Sequence, residues 1–305
     1  MAYSDVVALL DAGERVILDG GTGTELEQRG VGMSPGAWCG PASLDSYSTL
    51  VEIHKDYLIA GAQVITANTY ASSRVMLKEA GYADQFREIN MRSIEAAHQA
   101  RKEFGGEGVL VAGSLSHMMP MVAGDAKIDA ARAASEQEMT DVFSELANLH
   151  KECGCDLILL EMMYQPERMR PAISAAKNTG LPFWVGLSAR RGDDGQVLSF
   201  SVEADIPFKE IAKLAASYAP HAMGTMHTPA NIIADANAII ADVYDGPLSA
   251  YPDSGYFAMP SWQFENIIPP EEFARYANDW FNNGTQIIGG CCGLSPEHIQ
   301  MVAGN

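Results

Sequence analysis

No stretch of the sequence approaches the roughly 18 consecutive apolar residues that a membrane-spanning helix needs. Residues 1–11 lack the basic start and cleavage site of a secretory signal. Positive charge is scarce: Lys and Arg number 20 against 39 for Asp and Glu, a formal net charge of -19. Such a surface repels phosphate backbones and anionic lipids, so neither nucleic acid nor a membrane is an expected partner. Cysteine is sparse as well. Five in 305 residues, an odd number with two adjacent, is not the pattern of a secreted disulfide framework. Linker-like breaks and low-complexity segments are missing too. A soluble, cytoplasmic protein is expected, and 47% apolar residues suffice for a sizeable core.

What the chain has instead is a regular alternation of short β-rich runs and helical stretches. Strands are expected over residues 15–18, 64–67, 109–112, 156–160, 183–187, 222–226, 248–251 and 285–288. Helices are expected over about 48–60, 83–104, 135–152 and 206–217. One more is opened by Thr228 and Pro229, one begins near Pro270, and a short last one has Ser295 as N-cap and Pro296 at its first position. Proline suits a helix start because its missing N–H does no harm there. Eight strand and helix units in 305 residues predict a single-domain (β/α)8 TIM barrel over residues 1–305. A doubly wound open sheet is the runner-up. It is set aside because Gly20-Gly21-Thr22-Gly23 lacks the spacing of a dinucleotide-binding loop.

Active sites of such barrels sit at the C-terminal ends of the strands, and polar residues gather there in this sequence. Asp19, Asn68, Ser114, Glu161, His227, Asp253 and the pair Cys291 and Cys292 each fall at or just past an expected strand end. Neighbouring Cα atoms about 3.8 Å apart resist a disulfide between adjacent cysteines. Glycines on both sides, Gly289, Gly290 and Gly293, let two consecutive sulfurs face one ion instead. Thiolates suit zinc, so Zn2+ is the expected metal. Strands one and eight meet when a barrel closes, and strand six lies two places from eight. His227 is therefore the expected third ligand, with a fourth position left open as in catalytic zinc sites. Cys153 and Cys155 fall at the opposite rim and read as packing residues. His117, Met118, Met119 and Met121, in the long loop after strand three, could line a donor pocket.

Four ordered stretches carry a family resemblance: Leu18-Asp19-Gly20-Gly21-Thr22-Gly23-Thr24-Glu25-Leu26, Thr66-Ala67-Asn68-Thr69-Tyr70, Leu159-Leu160-Glu161 and Gly289-Gly290-Cys291-Cys292-Gly293. Together they resemble the zinc-dependent homocysteine S-methyltransferases, which include the betaine and S-methylmethionine enzymes and the homocysteine domain of cobalamin-dependent methionine synthase. The likeness runs through nearly the whole chain. It implies an enzyme that moves a methyl group from a small donor to homocysteine, forming methionine. Candidate donors are S-methylmethionine, S-adenosylmethionine, a betaine or another sulfonium. It also implies that Asp19 and Glu161 hold the amino group of homocysteine and that backbone amides around Gly20 and Gly21 hold its carboxylate. Thr24, Asn68, Ser114 and Asp253 complete the implied substrate-binding set. Both kinds of partner are needed because an unpaired buried charge costs several kcal/mol. Three positions depart from the family pattern. His227 in Gly224-Thr225-Met226-His227-Thr228 stands where the family has a third cysteine, Met162 stands for a threonine, and Asp253 stands for an asparagine.

In the expected reaction zinc takes the acceptor thiol in its open position and lowers its pKa, and the thiolate attacks the donor methyl in line with the leaving atom. An imidazole in place of a thiolate makes the ligand set roughly neutral where three cysteines leave it at about -1. A more acidic bound thiol and a weaker nucleophile follow. The alternatives are a different thiol acceptor, a methylated corrinoid protein as donor, and a zinc barrel that has lost turnover for redox or metal sensing. The assembly is left open, with a homodimer among the options.

Overall fold

Eight short parallel strands frame the computed structural model, which describes residues 3–106, 108–122, 128–129, 131–132 and 134–304. They are β1 (Val16–Ile17), β2 (Val64–Ala67), β3 (Leu110–Ser116), β4 (Leu157–Met163), β5 (Phe183–Leu187), β6 (Ala222–Pro229), β7 (Leu248–Asp253) and β8 (Thr285–Ile288). Aliphatic runs such as Val64-Ile65 and Leu157-Ile158-Leu159-Leu160 form them, buried on both faces as strands between a filled interior and covering helices must be. From β2 to β8 each strand pairs with the next, and β8 pairs with β1 through Val16 beside Ile287. A bridge between Leu18 and Val64 then closes the ring. The (β/α)8 barrel expected from the alternation is the fold observed.

Val16, Leu18, Val64, Leu110, Leu157, Leu159, Trp184 and Ile287 fill the barrel, together with Val6 and Leu10 of the helix Tyr3–Asp11. Tyr3 accepts the Trp184 indole N–H at 2.8 Å and packs on His221, so this helix plugs the N-terminal end. The helices outside are fixed by local chemistry. Ser135 and Glu138 form a capping box for Glu136–Glu152, and prolines open Pro166–Asn178, Pro270–Asn282 and Pro296–Ala303. No described helix is long and apolar enough to cross a membrane.

Several element ends differ from expectation, and the differences move the site. β1 keeps only two residues, and the chain turns soon after it into the helix Thr22–Gln28. β4, β6 and β7 run on past residues 160, 226 and 251, which places Glu161, His227 and Asp253 inside strands. Bulges explain two of these. Pairing shifts between Leu160 and Met163 and between Met226 and Pro229, with Met162 at φ 53 and His227 at φ 42. The helix expected to open at Thr228 begins at Ala230, with Pro229 as its cap. A 3₁₀ turn, Ala83–Gln85, leads into Phe86–Phe104, and the neighbouring helices are Tyr47–Ile59 and Phe208–Ala216. The sequence reading did not foresee the helices Tyr3–Asp11, Arg74–Glu79 and Pro166–Asn178. Nor did it foresee two hairpins, Ala189–Arg191 with Val197–Ser199 and Tyr256–Ala258 with Ser261–Gln263. Met1, Ala2 and Asn305, at the ends of the expected 1–305 domain, lie outside the described residues.

Candidate metal and substrate site at the barrel mouth

The loop after β8 is sewn to both of its neighbours. Gly290 N–H donates to Asp19 O at 2.9 Å, Cys291 N–H to Pro252 O at 2.8 Å, and Ser254 N–H to Cys292 O at 2.9 Å. Gly293 N–H donates to Thr24 Oγ1 at 3.1 Å. The glycines are there for two close approaches. Gly293 has φ 81 and a Cβ on it would lie 2.0 Å from Ser254 O, while a Cβ on Gly289 would lie 2.4 Å from the Leu18 side chain.

This lacing points both sulfurs into the barrel mouth, 3.8 Å apart. His227 Nδ1 lies 3.7 Å from Cys291 Sγ, and donor atoms of His227, Cys291 and Cys292 all fall within 4.8 Å of one another, a group that could hold a metal ion. Edge-on contacts with Phe200 at 5.4 Å and Trp262 at 5.8 Å between ring centroids clamp the imidazole. Its Nε2 faces Asp253 Oδ2 at 3.7 Å. Burial opposes charge on His227, but Asp253 and the Cys291 thiol outweigh it and lift the imidazole to about 9. The hydrogen bond to Cys292 and burial hold Cys291 well above the usual thiol range. Cys292 gains from accepting that bond, yet burial and the nearby Asp253 leave it raised.

Two carboxyls face the same cavity. Asp19 accepts the Thr66 N–H at 2.6 Å and the Thr66 hydroxyl at 2.9 Å, and Glu161 accepts the Ser114 hydroxyl. Neither has a Lys or Arg partner among the described residues. Burial pushes both up to about 7, with the charge of Glu161 adding to the rise at Asp19. Such groups favour a cation.

The cavity has a volume of about 370 Å³. Its remaining walls are aromatic and thioether side chains, among them Trp38, Tyr70, Tyr164, Phe200, Phe257, Trp262, Met162 and Met226. Glu27 anchors two of these walls: both its oxygens accept the Trp262 backbone N–H, at 2.9 and 3.0 Å, and Oε2 also accepts the Trp38 indole N–H at 3.5 Å. The sequence reading missed this clasp and the aromatic lining. The signal was present as aromatic residues just past strand ends, but only the folded hairpin brings Trp262 back over the mouth. Met118 and Met121 line the cavity, whereas His117 Nε2 accepts the Tyr164 N–H at 3.0 Å and Met119 is buried in the core beneath the helices.

The other expected substrate contacts divide. Gly20 and Gly21 line the cavity, but the Gly21 N–H already donates to Leu294 O at 3.1 Å. The amide of Gly20 is unengaged as expected, and so are those of Thr22, Gly23 and Thr24, with no protein acceptor among the described residues, beside a buried Thr22 Oγ1 that also lacks a partner. Thr24 does not line the cavity. Its hydroxyl donates to Gly21 O at 3.0 Å while accepting from Gly293, so it clips two loops together. Asn68 lines the cavity with both ends of its amide engaged by Cys39, accepting from Sγ at 3.2 Å and donating to O at 2.9 Å. Ser114 meets the cavity through its bond to Glu161.

Fold and site together define a barrel enzyme with a thiol and imidazole donor set and an acidic, aromatic-walled cavity at its mouth. Residues 16–305 match the family described as homocysteine S-methyltransferase. The chain belongs to the homocysteine S-methyltransferase family. Among its relatives is homocysteine S-methyltransferase 2 of Zea mays, 28% identical over 309 residues, covering 95% of this chain and 89% of the relative. Betaine–homocysteine S-methyltransferase 1 of Danio rerio is 28% identical over 318 residues, 98% of this chain and 74% of the relative. The metallated form of the homocysteine methyltransferase MmuM from Escherichia coli shares the fold, with a TM-score of 0.76 at 22% identity over 97% of this chain and 98% of that one.

Proposed function

We propose that this chain is a zinc-dependent methyltransferase that moves a methyl group from a small onium donor to the thiol of homocysteine, releasing methionine. The observation that carries this reading is the meeting, in one cavity, of two sulfurs and an imidazole with two buried carboxyls that have no Lys or Arg partner among the described residues. A tetrahedral zinc with bonds of about 2.3 Å to sulfur and about 2.0–2.1 Å to nitrogen sets its ligand atoms about 3.8 and 3.6 Å apart. Cys291 Sγ lies 3.8 Å from Cys292 Sγ and 3.7 Å from His227 Nδ1, and donor atoms of all three residues fall within 4.8 Å of one another, so their chemistry and spacing suit such an ion. Three protein donors leave a fourth coordination position, as catalytic sites do. When bound, the metal supplies a Lewis acid that acidifies an incoming thiol.

Asp19 and Glu161 receive the acceptor's ammonium, which draws both into their ionised forms, while Thr66 and Ser114 keep their oxygens aimed. The amides of Gly20, Thr22 and Gly23 and the Thr22 hydroxyl suit the carboxylate. Trp38, Tyr70, Phe257 and Trp262 line the cavity and suit a positively charged donor, whose attraction to aromatic faces would hold its methyl near the acceptor sulfur. Zinc-loaded protein mixed with homocysteine and, in turn, S-methylmethionine, S-adenosylmethionine and betaine is assayed by mass spectrometry. Methionine is expected from at least one donor, with transfer abolished by chelation. One zinc bound per chain and no methionine from any of the three removes the reading in favour of a metal-holding barrel without turnover.

A further inference from the structure

Asp253 is placed to act on the imidazole more than on a substrate. It lies on β7 beside the bulge of β6, its register partner is Pro229, and its Oδ2 is 3.7 Å from His227 Nε2. Its Oδ1 is buried without a hydrogen-bond partner among the described residues. The opposite side of the same ring, Nδ1, faces Cys291 Sγ at 3.7 Å. A neutral imidazole lends a lone pair from one nitrogen only when the proton sits on the other, and a carboxylate beside Nε2 keeps the proton there. Phe200 and Trp262 hold the ring edge-on, so the choice of nitrogen is a choice of tautomer. His227 and Asp253 are thus neighbours in space.

We propose, resting on the metal reading above, that Asp253 is a positioning residue of the metal site: from its place beside Nε2 it fixes His227 as an Nδ1 ligand.

The test is zinc affinity, by chelator competition on the full chain, for wild type, Asp253→Asn, His227→Cys and the double variant, with the cobalt(II) absorption spectrum as a second readout. Circular dichroism of the metal-free proteins establishes a common fold. With His227 present, Asp253→Asn is expected to weaken zinc binding by about 10–100-fold and to shift the cobalt bands. In the His227→Cys background the same change is expected to be neutral or to tighten binding, because a third thiolate needs no tautomer and is repelled by the carboxylate. Equal losses in both backgrounds mark a merely structural role and overturn the proposal. Wild type that binds no zinc, or binds it as tightly after Cys291→Ser, removes the metal reading and this inference with it. Zinc lost in Cys291→Ser but unchanged in Asp253→Asn overturns this inference alone.

Discussion

Asp19 and Glu161 have no Lys or Arg partner among the described residues, and burial holds both near 7 in place of 3.8 and 4.5. A carboxyl whose folded pKa exceeds its unfolded value binds more protons when folded, so its contribution favours the fold at low pH and is lost as pH rises through the folded value. Between pH 4.5 and 7 the ligand-free protein is therefore expected to lose thermal stability from these two groups. Asp19→Asn should flatten that decline, and saturating homocysteine should do the same in the wild type, since its ammonium supplies the missing counter-charge. Melting curves across that pH range check both; an unchanged slope in Asp19→Asn contradicts the account. Asp19 and Glu161 were legible in the sequence because each ends an aliphatic run. The position of Thr24 in a familiar motif was legible too, but its clipping role depends on Gly293, far along the chain.

Asn237 shows how a helix fixes the strands that carry the ligands. From Ala230–Ala241 its Oδ1 accepts the Thr225 hydroxyl at 2.6 Å, and its Nδ2 donates to Ser249 O at 3.1 Å and Thr285 Oγ1 at 3.0 Å, so one side chain ties β6, β7 and β8. Asn237→Ala leaves buried polar atoms without partners and is expected to cost about 1–3 kcal/mol. Denaturant unfolding measures it. The hairpin Tyr256–Ala258 with Ser261–Gln263 is tied by Glu27 in a similar way. Glu27→Ala should loosen the Trp38 and Trp262 walls, raising KM for the donor several-fold while KM for the acceptor stays put. Initial-rate kinetics with each substrate varied separates the two; equal rises in both would argue against a donor-side wall. The strands themselves could be read from aliphatic runs. Their bulges could not, because a shift in pairing at Met162 or His227 depends on the partner strand.

At the scale of the whole molecule, eight repeats and twin cysteines survive as local patterns, which is why the barrel and the place of its mouth could be anticipated from residue order. The aromatic walls, the Glu27 clasp and the contact between Asp253 and His227 depend on loops returning from distant parts of the sequence, and no local pattern announces them. A metal held, as proposed, by His227 of β6 and the cysteines after β8 would also join two regions of the barrel wall. Removing it by chelation should lower the melting temperature, because a ligand present at a thousandfold its Kd stabilises the native state by about 4 kcal/mol. Scanning calorimetry before and after zinc is restored checks this, with no shift expected in Cys291→Ser.

The ring closes between β1 and β2 through the Leu18 and Val64 bridge, and β1 itself is two residues long. Just above that seam, Asp19 reaches across to Thr66. On the proposed reading, an amino acid docking on Asp19 would bear directly on the joint where the wall closes. Arrival of the acceptor would then work as a latch, stiffening the vessel in which the methyl group changes hands.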